Sequence, residues 1–116
     1  MADHVDLVRA DGLPVCRCHV ASSFASRFRG LMGAAQLPPG TGLLLPGTSS
    51  VHTHFMRFPI DVVFLDSERR VLSIVPALRP WRFAKANSAD SVLELAAGEC
   101  DRLGLTAGTT LVESES

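Results

Sequence analysis

Between Val51 and Asp66 the chain reads VHTHFMRFPIDVVFLD, which sets two imidazoles, a thioether and a carboxylate close together. In an extended chain the side chains alternate, so His52, His54, Met56 and Phe58 point one way and Val51, Thr53, Phe55 and Arg57 the other. Imidazole nitrogens with a thioether sulfur suit copper, and a histidine pair suits zinc. The competing reading needs no ion: histidines beside a core are commonly satisfied by backbone or water, and neither CxxC nor HExxH is present to strengthen a metal site. We read His52 and His54 as lining a surface or pocket, with Met56 filling space. A Zn- or Cu-dependent hydrolase or oxidoreductase built on His52, His54 and Asp61 is the alternative.

Asp61 follows Pro59 and sits among Ile60, Val62, Val63 and Phe64. A carboxylate in such apolar company is costly unless partnered, and Arg27, Arg29 or Arg57 can each supply a guanidinium. On a regular helix positions 27 and 29 point about 200° apart, so one of them at most serves a shared ligand. Trp81, in RPWRF, is the sole tryptophan. Flanked by arginines, it is suited to stack on a ligand or rim a partner site, or else to fold over a barrel mouth. The candidate ligand-binding set is therefore His52, His54, Asp61, Arg27, Arg57 and Trp81.

The CRCH run, Cys16 to His19, reads as core packing, because cysteines two apart on a strand share a face and a buried thiol behaves as a small hydrophobe. Cys100, near the start of a possible helical turn, is open to a lowered pKa, but no histidine lies near it in sequence. GxSxG, GxxxxGK[ST] and GxGxxG are all absent, so no nucleophile elbow, phosphate loop or dinucleotide fingerprint suggests an enzyme, and no cofactor is expected.

The elements that must hold these residues are mostly short strands. VDLVRADGLPVCRCHVA reads as a hairpin turning at Asp11 and Gly12. SSFASRFRGLMG is the best helix, with Phe24, Phe28 and Leu31 at helical spacing. Prolines and glycines between 38 and 47 leave room for a short buried strand at Leu43 to Leu45. Further strands are expected in the 51–65 stretch, in VLSIVPALRPWRF after a loop at Asp66 to Arg70, in SVLELAAG and in TTLV, with about one helical turn at Glu99 to Leu103. The expected fold is mainly β, a compact β-sandwich or barrel of short strands with one or two short helices.

Composition agrees with a single domain over 1–116: of 116 residues, 47% are hydrophobic and 20% charged, enough to bury a real core. The net charge of −1 argues against a surface that tracks nucleic acid. Charge is unevenly spread, however: between Arg57 and Lys85 six basic residues face three acids, and the tail is acidic. No stretch approaches a membrane span, and the acidic opening MADHVDLVRADG lacks the pattern of an export signal. Together with an odd set of three cysteines, this leads us to expect a cytoplasmic protein.

The order RFRGLMG, then a loop with LLL, then MRFPIDVVFLD, RVLSIVP, VLELAAG and LGLTAGTTL resembles the uncharacterised DUF192 family over nearly the whole chain. Two departures stand out: HTHFMRF replaces the usual tryptophan, methionine, lysine, asparagine run, and Thr109 follows Gly108 where an acid is usual. The resemblance implies a mainly β sandwich-like or barrel-like domain and brings no reaction with it. The expected function is a ligand- or partner-binding accessory module without catalysis of its own, its partner a small molecule or protein. A purely structural reading, with self-association through an exposed apolar patch, is the third option.

Overall fold

The computed structural model describes residues 4–21, 37–53 and 56–114. The helix expected at SSFASRFRGLMG, with Arg27 and Arg29, and His54 lie outside them. The opening hairpin forms as the sequence suggests: β1 (His4–Arg9) and β2 (Pro14–Val20) are antiparallel. Gly12 turns the chain at φ 98°, a left-handed conformation that glycine adopts without a Cβ penalty. β3 (Thr41–Pro46) contains the expected Leu43 to Leu45 and runs parallel to β2.

Beyond it come β4 (Ser50–His52), β5 (Ile60–Leu65), β6 (Val71–Leu78), β7 (Phe83–Lys85), β8 (Ser91–Ala96), α1 (Glu99–Arg102) and β9 (Leu111–Glu113). Seven strands form one sheet in the order β6-β5-β8-β3-β2-β1-β9, and β4 pairs with β7 in a separate two-stranded sheet. The fold is mainly β, as expected. The large sheet curls until its two edges meet at one end, through a bridge between Arg70 and Thr110. The Val71 N–H donates to the Thr109 carbonyl at 2.8 Å and the Leu111 N–H to the Arg69 carbonyl at 2.9 Å. Partial closure occupies edge groups that would otherwise be open to pairing with another chain.

Period-two alternation sorts the strand residues into two cores, one on each face of the sheet. Leu44, Val63, Leu65, Leu93 and Leu95 enter the first, with Leu103, Leu105 and Leu111 from the C-terminal segment. Leu43, Leu45, Ile60, Val62, Phe64 and Val92 enter the second, which Val51 and Ala84 of the small sheet also join. β5 is buried at all six positions because it lies between β6 and β8 with a core on either side. Its near-continuous apolar sequence is what such a strand requires.

Cys16 and Cys18 do pack in the first core, but as a disulfide where the sequence reading took both for free thiols. A residue two further along a strand returns to the same face, which brings the two sulfurs together. Gly42 faces this pair. A Cβ there would meet Leu95 Cδ2 at 2.9 Å, the Glu94 carbonyl oxygen at 3.1 Å and Cys16 Sγ at 3.2 Å. Gly42→Ala is therefore expected to destabilise the fold by about 1–3 kcal/mol through overpacking, seen as a lower urea midpoint at unchanged m-value. A variant as stable as the parent would show that this junction has slack.

Candidate functional site

The alternation expected from 51 to 65 stops at Thr53. β4 ends at His52 and β5 does not begin until Ile60, so His52 and Met56 are not displayed by one continuous ribbon. Thr53 causes the break. Its side chain is fully buried, and its hydroxyl donates to the Arg79 carbonyl at 2.7 Å and accepts the Arg82 N–H at 2.8 Å. Its own N–H donates to the Arg82 carbonyl at 2.9 Å, and its carbonyl accepts the N–H groups of Trp81 at 3.0 Å and Met56 at 3.3 Å. One residue thus ties down the 79–82 turn. Pro59, with no N–H to offer a ladder, separates this junction from β5.

The clamped turn displays aromatic rings. Trp81 is 58% exposed and Phe83 53%, and Phe83 pairs across the small sheet with His52. The His52 and Phe83 ring centroids are 4.8 Å apart, within the range of favourable aromatic packing. Trp81 has φ 64°, a conformation uncommon for a bulky residue, held here by the Thr53 hydrogen bonds on either side. Arg57, Arg79, Arg82 and Lys85 are exposed on the same segments. Among the described residues no carboxylate forms an ion pair with any of these four, whereas Arg69 and Arg70 pair with Glu113 and Glu68. Met56 packs against the second core.

Asp61 belongs to a different neighbourhood. It is 1% exposed. Its Oδ1 accepts the Ala77 N–H at 2.9 Å, and its Oδ2 accepts the N–H groups of Gly98 at 3.1 Å and Cys100 at 2.9 Å. The partners expected from sequence were arginines; these described ones are all backbone amides. They are amides with no regular place to go. Opposite Asp61 the β5–β6 register slips by one, from Ile60↔Leu78 to Val62↔Val75, a bulge that takes in Pro76 and Ala77 and leaves an amide outside the ladder. Gly98 and Cys100 open α1, whose N-cap, Gly98, has no side chain to cap the helix; Asp61 does it from another strand.

Cys100 is buried beside this carboxylate, and its thiol is pushed up from 9.0 to about 12, first by burial and then by the negative charge and hydrogen bond of Asp61 and the charge of Glu99. The lowered pKa that a helix start can produce is reversed, and the group is a neutral thiol at physiological pH. Glu99, also buried, accepts the Gly40 N–H at 3.0 Å and pairs with Arg102 at 2.6 Å; the Arg102 guanidinium holds its carboxyl below the usual carboxylate range.

Of the six expected site residues, the structure brings His52 and Trp81 together around Thr53, with Arg57 on the segment that Thr53 also anchors through Met56. Asp61 stands apart in the interior, and Arg27 and His54 fall outside the described residues. No group of three or more His, Cys, Asp or Glu side chains is arranged to hold a metal among the described residues. Thr53 and Phe83 stand outside the set expected from sequence. Their roles depend on the pairing of β4 with β7, some thirty residues apart, and no local pattern announces such a pairing.

Two outcomes follow. Asp61→Ala strands the buried Cys100 N–H and removes the acceptor from those of the exposed residues Ala77 and Gly98, and is expected to cost about 1–3 kcal/mol, the penalty for one unsatisfied buried group; chemical denaturation measures it. Because the Cys100 pKa is higher folded than unfolded, the unfolded chain releases its proton first. Stability is then complete below about pH 9 and falls as the pH rises toward about 12. Cys100→Ala should flatten that alkaline slope, and an unchanged slope would assign it to other groups.

Comparison with known proteins places the chain. It is 37% identical over 97 residues to a UPF0127 protein of Thermococcus sibiricus, an overlap of 79% of this chain and 62% of that protein. It is 34% identical over 99 residues to one from Pyrococcus furiosus, covering 78% of this chain and 81% of that protein. The chain thus spans less than two thirds of the Thermococcus relative's length. A crystal structure described as a putative transcription regulator from Sinorhizobium meliloti superposes with a TM-score of 0.81 at 26% identity, over 95% of this chain and 92% of that one. A Novosphingobium aromaticivorans protein of unknown function matches in fold with a TM-score of 0.79 at 24% identity, over 94% of this chain and 83% of that one. The DUF192 family profile, whose description is that of an uncharacterised ACR, matches residues 7–112, and the chain belongs to the DUF192 family.

Proposed function

We propose that this domain is a binding module without catalysis of its own, and that it docks an acidic peptide segment of a partner protein on the surface carrying Trp81, Phe83 and His52. The observation that carries this reading is the pair of exposed aromatic rings, Trp81 on the turn pinned by Thr53 and Phe83 at the start of β7. Large rings held out in water are suited to anchor a partner, since they bury much area and, already fixed, lose little conformational freedom on binding. Arg57, Arg79, Arg82 and Lys85 around them favour a negatively charged occupant. The description of the Sinorhizobium protein as a putative transcription regulator makes nucleic acid the competing occupant. The net charge of −1 weighs against it, because counterion release rewards a broad basic surface.

The single tryptophan makes the test direct. A synthetic peptide of glutamates with interspersed leucines should shift Trp81 emission to shorter wavelength and saturate, while its lysine counterpart should not. Trp81→Ala is expected to weaken the acidic peptide by about 2 kcal/mol, roughly thirtyfold, as read by calorimetry, with the melting temperature little changed. An Arg79→Glu, Arg82→Glu double variant should weaken it as well. Tighter binding of a single-stranded oligonucleotide than of the peptide, or an acidic peptide indifferent to all these changes, would overturn the assignment.

A further inference from the structure

The opening hairpin carries chemistry that the aromatic surface does not use. His4 and His19 are directly opposed across β1 and β2, and their rings meet edge to face with centroids 5.2 Å apart. Arg17 lies two residues before His19, hence on the same side of the sheet, and in register with Thr41 of β3. These residues line a cavity of about 270 Å³ whose remaining wall includes Leu37 and Leu43. Leu43 is buried, and Leu37 packs against the second core, so one side of the cavity is apolar and the other carries a guanidinium and two imidazoles.

Arg17 is available to a ligand. Asp6 is its cross-strand neighbour, yet the two form no ion pair, and the described residues offer its guanidinium no hydrogen-bond acceptor. The Thr41 hydroxyl is already engaged, donating to the Pro38 carbonyl at 2.6 Å, which leaves its lone pairs but not its proton. The described residues that line the cavity include no carboxylate, so a cation would meet positive and neutral groups there. An oxyanion finds a planar guanidinium fork, the geometry that holds carboxylate and phosphate by two parallel hydrogen bonds, with imidazole N–H donors beside it. The apolar wall favours a ligand with carbon attached to that head over a bare inorganic ion.

We propose that the cavity between β1, β2 and β3 binds a small organic oxyanion, its carboxylate or phosphate head on Arg17, His19 and His4 and its short aliphatic body against Leu37 and Leu43. The site shares no residue with the Trp81 surface, so either assignment can fail alone.

The test is an NMR titration of the full chain, following the imidazole signals of His4 and His19, with valerate, pentyl phosphate, inorganic phosphate and pentylamine. Valerate, pentyl phosphate or both should shift both imidazoles saturably. Arg17→Gln, a change at an exposed strand position, should weaken that binding about tenfold or more, the loss expected for a charge-assisted bidentate contact. Whichever organic anion binds tighter identifies the head group. No saturable shift with either organic anion, an Arg17→Gln variant that binds equally well, or pentylamine binding as tightly would overturn the proposal. Inorganic phosphate binding as tightly as pentyl phosphate would overturn its organic part, because the apolar wall would then contribute nothing.

Discussion

Much of this structure hangs on one buried carboxylate. Asp61 accepts hydrogen bonds from three backbone amides that no ladder or side-chain cap would otherwise satisfy, one from the β6 bulge and two from the entry to α1. A carboxylate taken out of water is expensive, and three converging N–H dipoles provide the compensation that a guanidinium was expected to give. The arrangement fixes where β6 bends relative to β5 and where the C-terminal segment leaves β8. That segment then contributes Leu103, Leu105 and Leu111 to the first core and closes the sheet edge at Thr110. Burial first, and then this same charge, push the Cys100 thiol up and keep it protonated.

A sheet with a core on each face leaves few places for a functional surface. β5 has no exposed position at all, so polar chemistry has to sit where the layers end. The described residues show two such margins. At one, the small β4–β7 sheet joins the second core and the 79–82 turn between β6 and β7 displays Trp81. At the other, the β1–β2 hairpin buries Leu7, Cys16 and Cys18 in the first core and carries His4, Arg17 and His19 on the cavity that it lines. In both cases a strand pair sets the side chains beside a buried neighbour: Thr53, which holds the turn by hydrogen bonds, in the first, and Leu43, which lines the cavity, in the second.

Local signals in the sequence were dependable where the physics is local. Asp11 and Gly12 specified a hairpin, and a turn there places position 4 opposite position 19, so the histidine pair follows from the hairpin register. The Glu99 to Leu103 stretch before Gly104 marked a helical turn, and the Leu43 to Leu45 run between glycines and prolines marked a buried strand. The 51–65 stretch was misread for an equally physical reason. Its composition fits a strand throughout, and only the hydrogen bonds from Thr53 to residues 79–82 show that the chain leaves one sheet there before entering another.

By itself the amino-acid order determined the strand-rich class, the family and the candidate list, because apolar periodicity, turn residues and motif order are properties of neighbours along the chain. Tertiary structure decided which candidates meet. It sent Asp61 inward to backbone amides, set His52 against Phe83 and held Trp81 out in solvent. Each of those outcomes rests on a hydrogen bond or packing contact between residues about fifteen or more apart, at distances that no one-dimensional pattern encodes.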